Sequence, residues 1–391
     1  MAWKKIAISP TDVGAIVNAD IPFADTDMAL AAASMVDALS PSTSLDVIAA
    51  SITGTYARDQ RWANGGSSTA TNRRSLVSPG RIAVYIDGNG YTLSAPSTLD
   101  LNTAANWDAA ANATAANRAG KDFYIYACIP SSGRAVDILL SANSTYPTGK
   151  TAANSRKIGG FHCLGVSVGT ISGHTLTGYL QGDILPMSVW DLLHRPSCAP
   201  EGMVYNPGIG HWVDIYLAGI ASGELVSRYG VAHQTGATTE KFHPYKFSQW
   251  FGRIGKRLLT QHEFQSCSLG SNQGTNITGS ADPTNTGGYN DTASRRMISN
   301  IGCESCCGVL WQWGEGDGGG QSAAEWVDAF DANDSGVAGQ HYLAPNRPLF
   351  GGNWTTGARC GSRCSSWTSS PLRLTSNRGS RGCAEPWGGG A

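Results

Sequence analysis

The carboxy-terminal segment, residues 351–382, constrains the fold of this chain more than any other feature, because Gly, Trp and Arg recur there at turn-like intervals. Between Gly351 and Arg378 there are ten Ser or Thr and four Arg, but no Asp, Glu, Lys, Gln or Met. Glycine adopts backbone angles that other residues avoid, and packing and hydrogen bonds can immobilise Trp and Arg. We therefore predict strands and tight turns with a rigid frame.

Two sets of residues within this segment are expected to play different roles. The predicted frame consists of Gly351, Gly352, Trp354, Gly361, Arg363, Gly379, Arg381 and Gly382. The positions between them are mostly short or flexible polar groups without a hydrophobic period, which indicates display at the surface. The candidate ligand-binding positions are Thr355, Thr356, Arg359, Ser366, Trp367, Thr368, Ser369, Arg373, Thr375 and Asn377.

The composition of the segment also predicts how its surface would bind. Its four Arg without an acidic residue predict a cationic face and a somewhat acidic partner. Since aromatic and Arg side chains dominate binding hot spots, Arg359, Trp367 and Arg373 are the expected anchors. The alternative is a disordered tail rich in Ser and Thr. Two Trp and two Leu inside a repeated Gly-Ser-Arg frame argue against that alternative.

Two helices are predicted upstream of the segment. Apolar residues follow helical spacing from Phe247 through Trp250, Phe251 and Ile254 to Leu258. A second, shorter helix is predicted to begin after Thr260. Glu263 stands three residues later, which is the pairing of a capping box.

A strand is predicted within residues 306–317. Val309, Trp311 and Trp313 alternate there and would share one face of a sheet.

These motifs together resemble the variable proteins of diversity-generating retroelements, including phage tropism determinants with a C-type lectin fold of the formylglycine-generating-enzyme type. The first helix and the residues after it are similar to that fold's helix and Arg-Leu-Pro-Thr run, with Leu259 in place of Pro. Residues 306–317 are similar to its Gly-Asn-Val-Trp-Glu-Trp strand, with Leu310 and Gln312 as substitutions. The family's adenine mutagenesis of Asn codons cannot produce Lys, Gln, Glu, Met or Trp, so the resemblance implies that Trp354 and Trp367 are unmutated.

The resemblance implies an α+β fold class, with a carboxy-terminal C-type lectin fold of the formylglycine-generating-enzyme type preceded by a smaller β-rich domain. It implies a non-enzymatic protein of a phage tail that binds a host-surface protein or another macromolecular ligand, with copies assembled as a trimer. A cellular surface-display receptor on the same scaffold is the first alternative. The second is an oxidase of the formylglycine-generating type.

The oxidase alternative depends on two cysteines in the carboxy-terminal region. An alignment from Gly351 and Gly352 places the two positions at Thr356 and Gly361, with Cys360 and Cys364 out of register. No catalytic residue is therefore predicted.

The chain is long enough, at 391 residues, for two or three domains at about 100–200 residues each. We predict two, with a boundary in the polar, turn-rich residues 141–156. Residues 1–155 would be a β-rich module with short helices, for attachment or oligomerisation. Its predicted helices lie in residues 23–54, and its predicted strands lie in residues 80–93, 123–129 and 135–140. Residues 156–391 would carry the ligand-binding domain, with the variable region at about 351–382.

Charge and hydropathy exclude several other classes of protein. A net charge of −1 provides no overall attraction to nucleic acid, and no apolar run is long enough for membrane insertion. The first residues lack the apolar stretch of a signal peptide, which favours synthesis in the cytoplasm before display on a virion tail or another exterior surface.

The ten cysteines are expected to be mostly free and buried, and no cofactor or metal is predicted. A site built from Cys303, Cys306 and Cys307 with Cys360 or Cys364 would need four inward-facing ligands. Neighbouring residues on a strand point in opposite directions, so Cys306 and Cys307 are not expected to share one.

Overall fold

The computed structural model describes residues 56–388, except for 59, 94, 134, 318–325, 331–336 and 343–344. The helices predicted in residues 23–54 lie outside the described part. Short strands dominate the described part, and its helices are few and short. The described part of the chain is therefore mostly β-sheet. Its fraction of helical residues is smaller than the predicted α+β class suggests.

The strands and helices are numbered here in chain order. The strands are β1 (Ala57–Arg58), β2 (Ala63–Asn64), β3 (Ser75–Val77), β4 (Ile82–Ile86), β5 (Asn89–Leu93), β6 (Thr98–Asp100), β7 (Asp122–Cys128), β8 (Asp137–Ser141), β9 (Ser155–His162), β10 (Trp190–Asp191), β11 (Met203–Asn206), β12 (His211–Asp214), β13 (Gly219–Ala221), β14 (Glu224–Val226), β15 (Arg257–Leu258), β16 (Trp311–Trp313), β17 (Trp326–Phe330), β18 (Val337–Tyr342), β19 (Arg347–Phe350), β20 (Ser365–Ser369), β21 (Arg378–Gly379) and β22 (Gly382–Ala384). The α-helices are α1 (Ala70–Arg73), α2 (Ala115–Arg118), α3 (Pro244–Arg253) and α4 (Gln261–Cys267). Single 3-10 turns are at Ala104–Asn106, Ala110–Ala113, Pro186–Ser188, Thr278–Ser280 and Gly357–Arg359.

The amino-terminal half contains the hairpin that its sequence predicts. Strands β4 and β5 pair antiparallel, and Ile86 faces Asn89 across a two-residue turn. Both turn residues, Asp87 and Gly88, have positive φ angles of 50° and 77°. Such turns match the twist of a hairpin, which explains why a Gly follows an Asp at this point. The strands predicted in residues 123–129 and 135–140 are also present, as β7 and β8.

A four-stranded sheet in the order β10-β9-β7-β8 crosses the domain boundary that the sequence predicts. Strand β9 pairs antiparallel with β7 from Asp122 opposite His162 to Cys128 opposite Ser155. The predicted division between residues 155 and 156 therefore falls inside a paired strand. The polar residues before it connect β8 to β9, and both of these strands pair with β7.

The carboxy-terminal half contains two four-stranded sheets. One has the order β11-β12-β22-β15, so that the strand closest to the end of the described chain lies between two earlier strands. The other has the order β20-β19-β16-β21. In it β16 is antiparallel to β19 and parallel to β21. The strand predicted in residues 306–317 is therefore β16, and it forms the centre of the sheet that carries residues 351–382.

Both predicted helices are present, with different ends. Helix α3 begins at Pro244, after His243 accepts a hydrogen bond from the amide of Lys246, and buries Phe247 and Phe251. It ends at Arg253, because Gly255 has a φ of 72° and the chain turns into β15. Leu258 thus lies on a strand and not on the helix.

Helix α4 begins with the predicted capping box. The amide of Glu263 donates to Thr260 Oγ1 at 3.4 Å, and the amide of Thr260 donates to Glu263 Oε2 at 2.8 Å. Burial would raise the pKa of Glu263, but hydrogen bonds from Arg257 and Thr260 outweigh it and lower the pKa to about 2.

The hydrophobic cores join distant parts of the sequence. One core lies within the amino-terminal half and includes Trp62, Phe123 and Phe161. A second joins buried residues of 164–185 to α4, β12 and Phe350. In the described part of the chain, no helix has the length and apolar character that crossing a membrane requires.

Candidate ligand-binding surface

The segment 351–382 begins with two glycines that no other residue could replace without strain. Gly351 and Gly352 have φ angles of 87° and 82°. A Cβ atom on Gly351 would lie 2.3 Å from the carbonyl oxygen of Cys306, and one on Gly352 would lie 2.8 Å from Cys360 Sγ. The amide of Gly308 donates to both glycine carbonyls, at 3.2 and 3.1 Å. Both residues therefore restrict the backbone at the start of the segment.

A tight turn around Asn353 follows. Its buried side-chain oxygen accepts hydrogen bonds from the hydroxyls of Thr355 and Thr356, at 3.2 and 2.5 Å. The Thr356 hydroxyl also accepts from the amide of Asn353 at 2.9 Å. The amide of Trp354 donates to Val309 at 3.1 Å, and its carbonyl accepts from Asn276. Thr355 is exposed and Thr356 is half-buried, so only part of Thr356 is accessible.

The next stretch lies against the loop that precedes residue 277. A Cβ on Gly361, which is buried, would lie 2.4 Å from the side-chain oxygen of Gln273. Gln273 accepts from the amide of Ser362 at 3.2 Å and donates to its hydroxyl at 3.1 Å. Arg359, in contrast, is exposed on the 3-10 turn Gly357–Arg359. The backbone is held here while the Arg359 side chain extends into solvent.

The four candidate ligand-binding residues on β20 lie on opposite faces of the strand. The hydroxyls of Ser366 and Thr368 lie 3.5 Å apart on one face, with Thr368 exposed. Trp367 points to the other face, where its ring centroid is 6.2 Å from that of Phe350. Ser369 shares the inner face with Trp367 and is only 7% exposed. The prediction that Ser369 is displayed was wrong, because successive residues of a strand face opposite sides.

The loop after β20 is held by its backbone. The amide of Gly236 donates to the carbonyl of Thr375 at 3.1 Å, and the amide of Trp311 donates to the carbonyl of Asn377 at 3.0 Å. The Thr375 hydroxyl donates to the side-chain oxygen of Asn377 at 2.7 Å. Arg373 is exposed, while Thr375 and Asn377 are half-buried. These three candidates are therefore accessible to different degrees on a fixed loop.

The arginines of the segment separate into exposed and buried groups in a way that the sequence did not predict. Arg363, expected in the frame, is exposed together with Arg359 and Arg373. Arg378 is buried, with its guanidinium 5.0 Å from the centre of the Trp313 ring. Burial, and then the charge of Arg373, lower the pKa of Arg378 to about 10. The face therefore presents three arginines and not four, because one of the four is used in packing.

Arg381 is the central frame residue. It is 1% exposed, and its guanidinium donates to Gln312 Oε1 at 2.7 Å and to the carbonyl of Glu304 at 2.5 Å. It also donates to the carbonyls of Asp214 and Ile215, at 3.1 and 3.2 Å. One side chain thus joins the segment to β12, β16 and the loop before β16.

The last frame glycines are packed tightly. A Cβ on Gly379 would lie 2.8 Å from Leu310 Cδ1, and one on Gly382 would lie 2.8 Å from Phe251 Cε1. Trp354, the aromatic frame residue, is partly buried against the core that includes Val309 and Leu310. Except for Arg363, the predicted frame residues are therefore buried or partly buried.

All ten cysteines are free thiols, and eight are buried. Burial, and then the neighbouring Cys364, raise the pKa of Cys360 to about 11, and burial raises that of Cys364. Both residues are therefore protonated at neutral pH, which is unsuitable for a nucleophilic thiolate.

Sequence reasoning missed several residues that hold the segment in place, most of them outside it. Asn276, Gln273 and Gly236 contact it from loops far away in the sequence, and Asn353 organises its first turn. Only Asn353, directly after the two glycines, had a local signal, since Asn commonly hydrogen-bonds to the backbone in turns.

The fold and the segment define a mostly β protein in which a fixed backbone presents a set of polar and cationic side chains at one surface. Residues 80–191 match the family described as Mtd second domain. The chain is 31% identical over 288 residues to the tail fiber receptor-binding protein of Bordetella phage BPP-1, covering 68% of this chain and 71% of that protein. The chain therefore belongs to the Mtd family of phage tropism-determinant-like variable proteins.

Solved structures agree with this assignment. The Major Tropism Determinant U1 variant is 26% identical, with a TM-score of 0.68 over 85% of this chain and 86% of that chain. The M1 variant is 27% identical, with a TM-score of 0.66 over 81% of this chain and 82% of that chain.

Proposed function

We propose that this chain is a phage tail protein that binds a receptor on the surface of a host cell through residues 351–382. The observation that carries this proposal is the combination of a hydrogen-bonded backbone with side chains that remain accessible. The proposed contact set is Thr355, Thr356, Arg359, Arg363, Ser366, Trp367, Thr368, Arg373, Thr375 and Asn377. Trp367 contributes the exposed part of its ring, since the rest packs against Phe350. The relative from phage BPP-1 supports the assignment by its name.

The fixed backbone explains how such a surface could change its partner. Residues that are already ordered lose little conformational entropy on binding, so different side chains at the same positions change only shape, hydrogen bonding and charge. The exposed Arg359, Arg363 and Arg373 favour an acidic partner. We propose that a retroelement diversifies these positions. A near-copy of the coding segment that differs almost only at adenines, next to a reverse transcriptase gene, is the expected genomic arrangement.

For the architecture we propose a C-type lectin fold in the carboxy-terminal part, with a revised division of the chain. The sheet β10-β9-β7-β8 favours a boundary after Asp191 and not at 155/156. The amino-terminal part would then serve attachment or oligomerisation. Assembly as a trimer and display on the exterior of the virion tail complete the proposal. Linked weak sites in such an assembly raise the overall affinity by about a hundredfold to ten-thousandfold.

Receptor binding without catalysis is the function that the chemistry of the site favours. The raised thiol pKa values at Cys360 and Cys364 oppose the thiolates that the oxidase alternative needs. The relatives are named for receptor binding and tropism. No feature of the described residues favours a cellular receptor over a phage protein.

The test is binding of the purified chain to a panel of intact bacterial strains, measured by flow cytometry. Thr368→Arg is expected to change the set of strains bound, or their affinity by about tenfold or more, as is usual at a contact position. Thr145→Arg is the matched control, because Thr145 is an exposed threonine outside the segment.

Thr145→Arg should leave binding unchanged, and both variants should melt within about 2 °C of the unmodified chain, as surface substitutions do. A full set of substitutions at the exposed contact positions that left the binding pattern unchanged would contradict the proposal.

A further inference from the structure

Three cysteines from two segments of the chain meet beneath the start of residues 351–382. The sulfur atoms of Cys267, Cys303 and Cys306 all lie within 4.8 Å of one another, and all three residues are fully buried. Cys267 is the last residue of α4, while the other two lie in the loop before β16. Cys307, which the sequence analysis considered as a ligand, is not part of this cluster and instead lies near Cys360.

The positions of these sulfurs are set by the surrounding backbone. The amide of Cys303 donates to Ser299 Oγ at 3.0 Å, and Ser299 donates back to the carbonyl of Cys303 at 2.9 Å. The carbonyl of Cys306 accepts from Gln312 Nε2 at 2.8 Å. Cys267 is held by helix α4. The three thiols therefore converge as a consequence of the fold, on a framework that does not depend on the thiols themselves.

The buried guanidinium of Arg381 lies next to the cluster, and a negative charge on the cluster would stabilise it. The hydrogen-bond acceptors of the Arg381 guanidinium are all uncharged oxygens, one from Gln312 and three from backbone carbonyls. The nearby Asp214 carboxylate is already paired with Lys256 at 2.6 Å. Cys306, Cys303 and Cys267 lie close enough to the Arg381 guanidinium to interact with its charge. The cation is thus compensated best when the thiols are ionised.

Ser271 is a buried polar residue beside the cluster. It is 3% exposed, and its hydroxyl makes no hydrogen bond of ordinary geometry in the described structure. A buried hydroxyl without a partner is unfavourable, since it has lost its water. Ser271 lies beside Cys306, so its hydroxyl is placed next to any ion that the three cysteines would bind.

We propose that Cys267, Cys303 and Cys306 bind a soft divalent metal ion, with zinc as the ion that fits best. Tetrahedral zinc with Zn–S bonds of about 2.3 Å places its sulfurs about 3.8 Å apart, so each pair need approach by at most about 1 Å. Binding releases the three thiol protons to solvent. Three thiolates and Zn²⁺ carry one net negative charge, which Arg381 balances. Ser271, next to Cys306, is the nearby residue that could contact the ion at its fourth position.

Such a site would be structural. It would join the end of α4 to the loop that contacts Gly351, because a Cβ on Gly351 would lie only 2.3 Å from the carbonyl of Cys306. The metal would therefore make the loop that supports the start of residues 351–382 more rigid. Thiols loaded with metal in the reducing cytoplasm would also resist oxidation after release into an oxidising exterior.

The test is metal analysis of the full chain, purified under reducing conditions without chelators. We expect about one zinc ion per chain, as for a single structural site. Cys306→Ser should lose the metal, while Cys307→Ser should keep it. Cys307 is the matched control because it is adjacent in sequence, equally buried and outside the cluster.

A second measurement guards against a variant that does not fold. Unmodified protein reconstituted with Co²⁺ should show thiolate-to-cobalt charge-transfer absorption, and Cys307→Ser should show the same band. A chelator should lower the melting temperature of the zinc-loaded protein and leave that of folded Cys306→Ser unchanged. Unmodified protein that bound neither zinc nor cobalt after reconstitution would overturn the proposal, as would equal metal loss in both cysteine variants.

Discussion

Two arginines in the same sequence context should differ strongly in how much stability their truncation removes. Arg363 and Arg381 each end a Gly-Ser-Arg triplet, yet Arg381 is 1% exposed while Arg363 is exposed. Arg381→Ala removes four hydrogen bonds from a buried guanidinium. Hydrogen bonds to charged groups contribute about 1.5–3 kcal/mol each but do not add in full. Since the truncation leaves four buried acceptors without this donor and the contributions add only in part, the expected decrease in the free energy of unfolding is about 3–5 kcal/mol.

The assay is thermal unfolding followed by circular dichroism and tryptophan fluorescence. At about 2–4 °C per kcal/mol for a domain of this size, Arg381→Ala should lower the Tm of the carboxy-terminal part by about 6–20 °C. Arg363→Ala should change its stability by no more than about 0.5 kcal/mol, because the described structure contains no hydrogen bond or ion pair of its guanidinium. Equal losses of stability in the two variants would refute the distinction between frame and display.

Three further predictions follow from the geometry of the same region. The pKa of Glu263 is about 2, below its ordinary value of 4.5, so its stabilising contribution is present above pH 4.5 and is lost as the pH falls toward 2. Glu263→Gln should therefore show a smaller decrease of Tm between pH 4.5 and about pH 2 than the unmodified chain. Gly351→Ala should lower the Tm, whereas Gly252→Ala, on helix α3 in open space, should raise stability by about 0.5–1 kcal/mol in denaturant titrations. Thr368→Arg should fold normally, while Ser369→Arg should yield less soluble protein, and the reverse order would contradict the assigned strand faces.

Local chemistry explains which features the sequence predicts well. The capping box at Thr260 and the hairpin at Asp87 and Gly88 depend on a few neighbouring residues. Both can therefore be predicted without knowledge of the fold. The frame glycines are predictable for a similar reason, since Gly351 and Gly352 adopt angles that only glycine tolerates easily.

Features that depend on tertiary contacts were not predictable in the same way. The burial of Arg378 involves Trp313, which is distant in sequence, and nothing local distinguishes Arg378 from the exposed Arg363. The pairing of β9 with β7 is equally non-local, and a polar connection looks the same inside a sheet as between domains. Cys267 was not considered as a metal ligand because nothing in the sequence brings the end of α4 next to Cys303 and Cys306.

The claim that the backbone of residues 351–382 is independent of its displayed side chains can be tested by one crystal structure. The variant for that experiment replaces Thr355, Arg359, Arg363, Thr368 and Arg373 together, all of which are exposed. The account predicts that its Cα atoms in this segment superpose on those of the unmodified chain within about 1 Å, as in pre-organised binding surfaces. A rearranged or disordered segment in that crystal would contradict it.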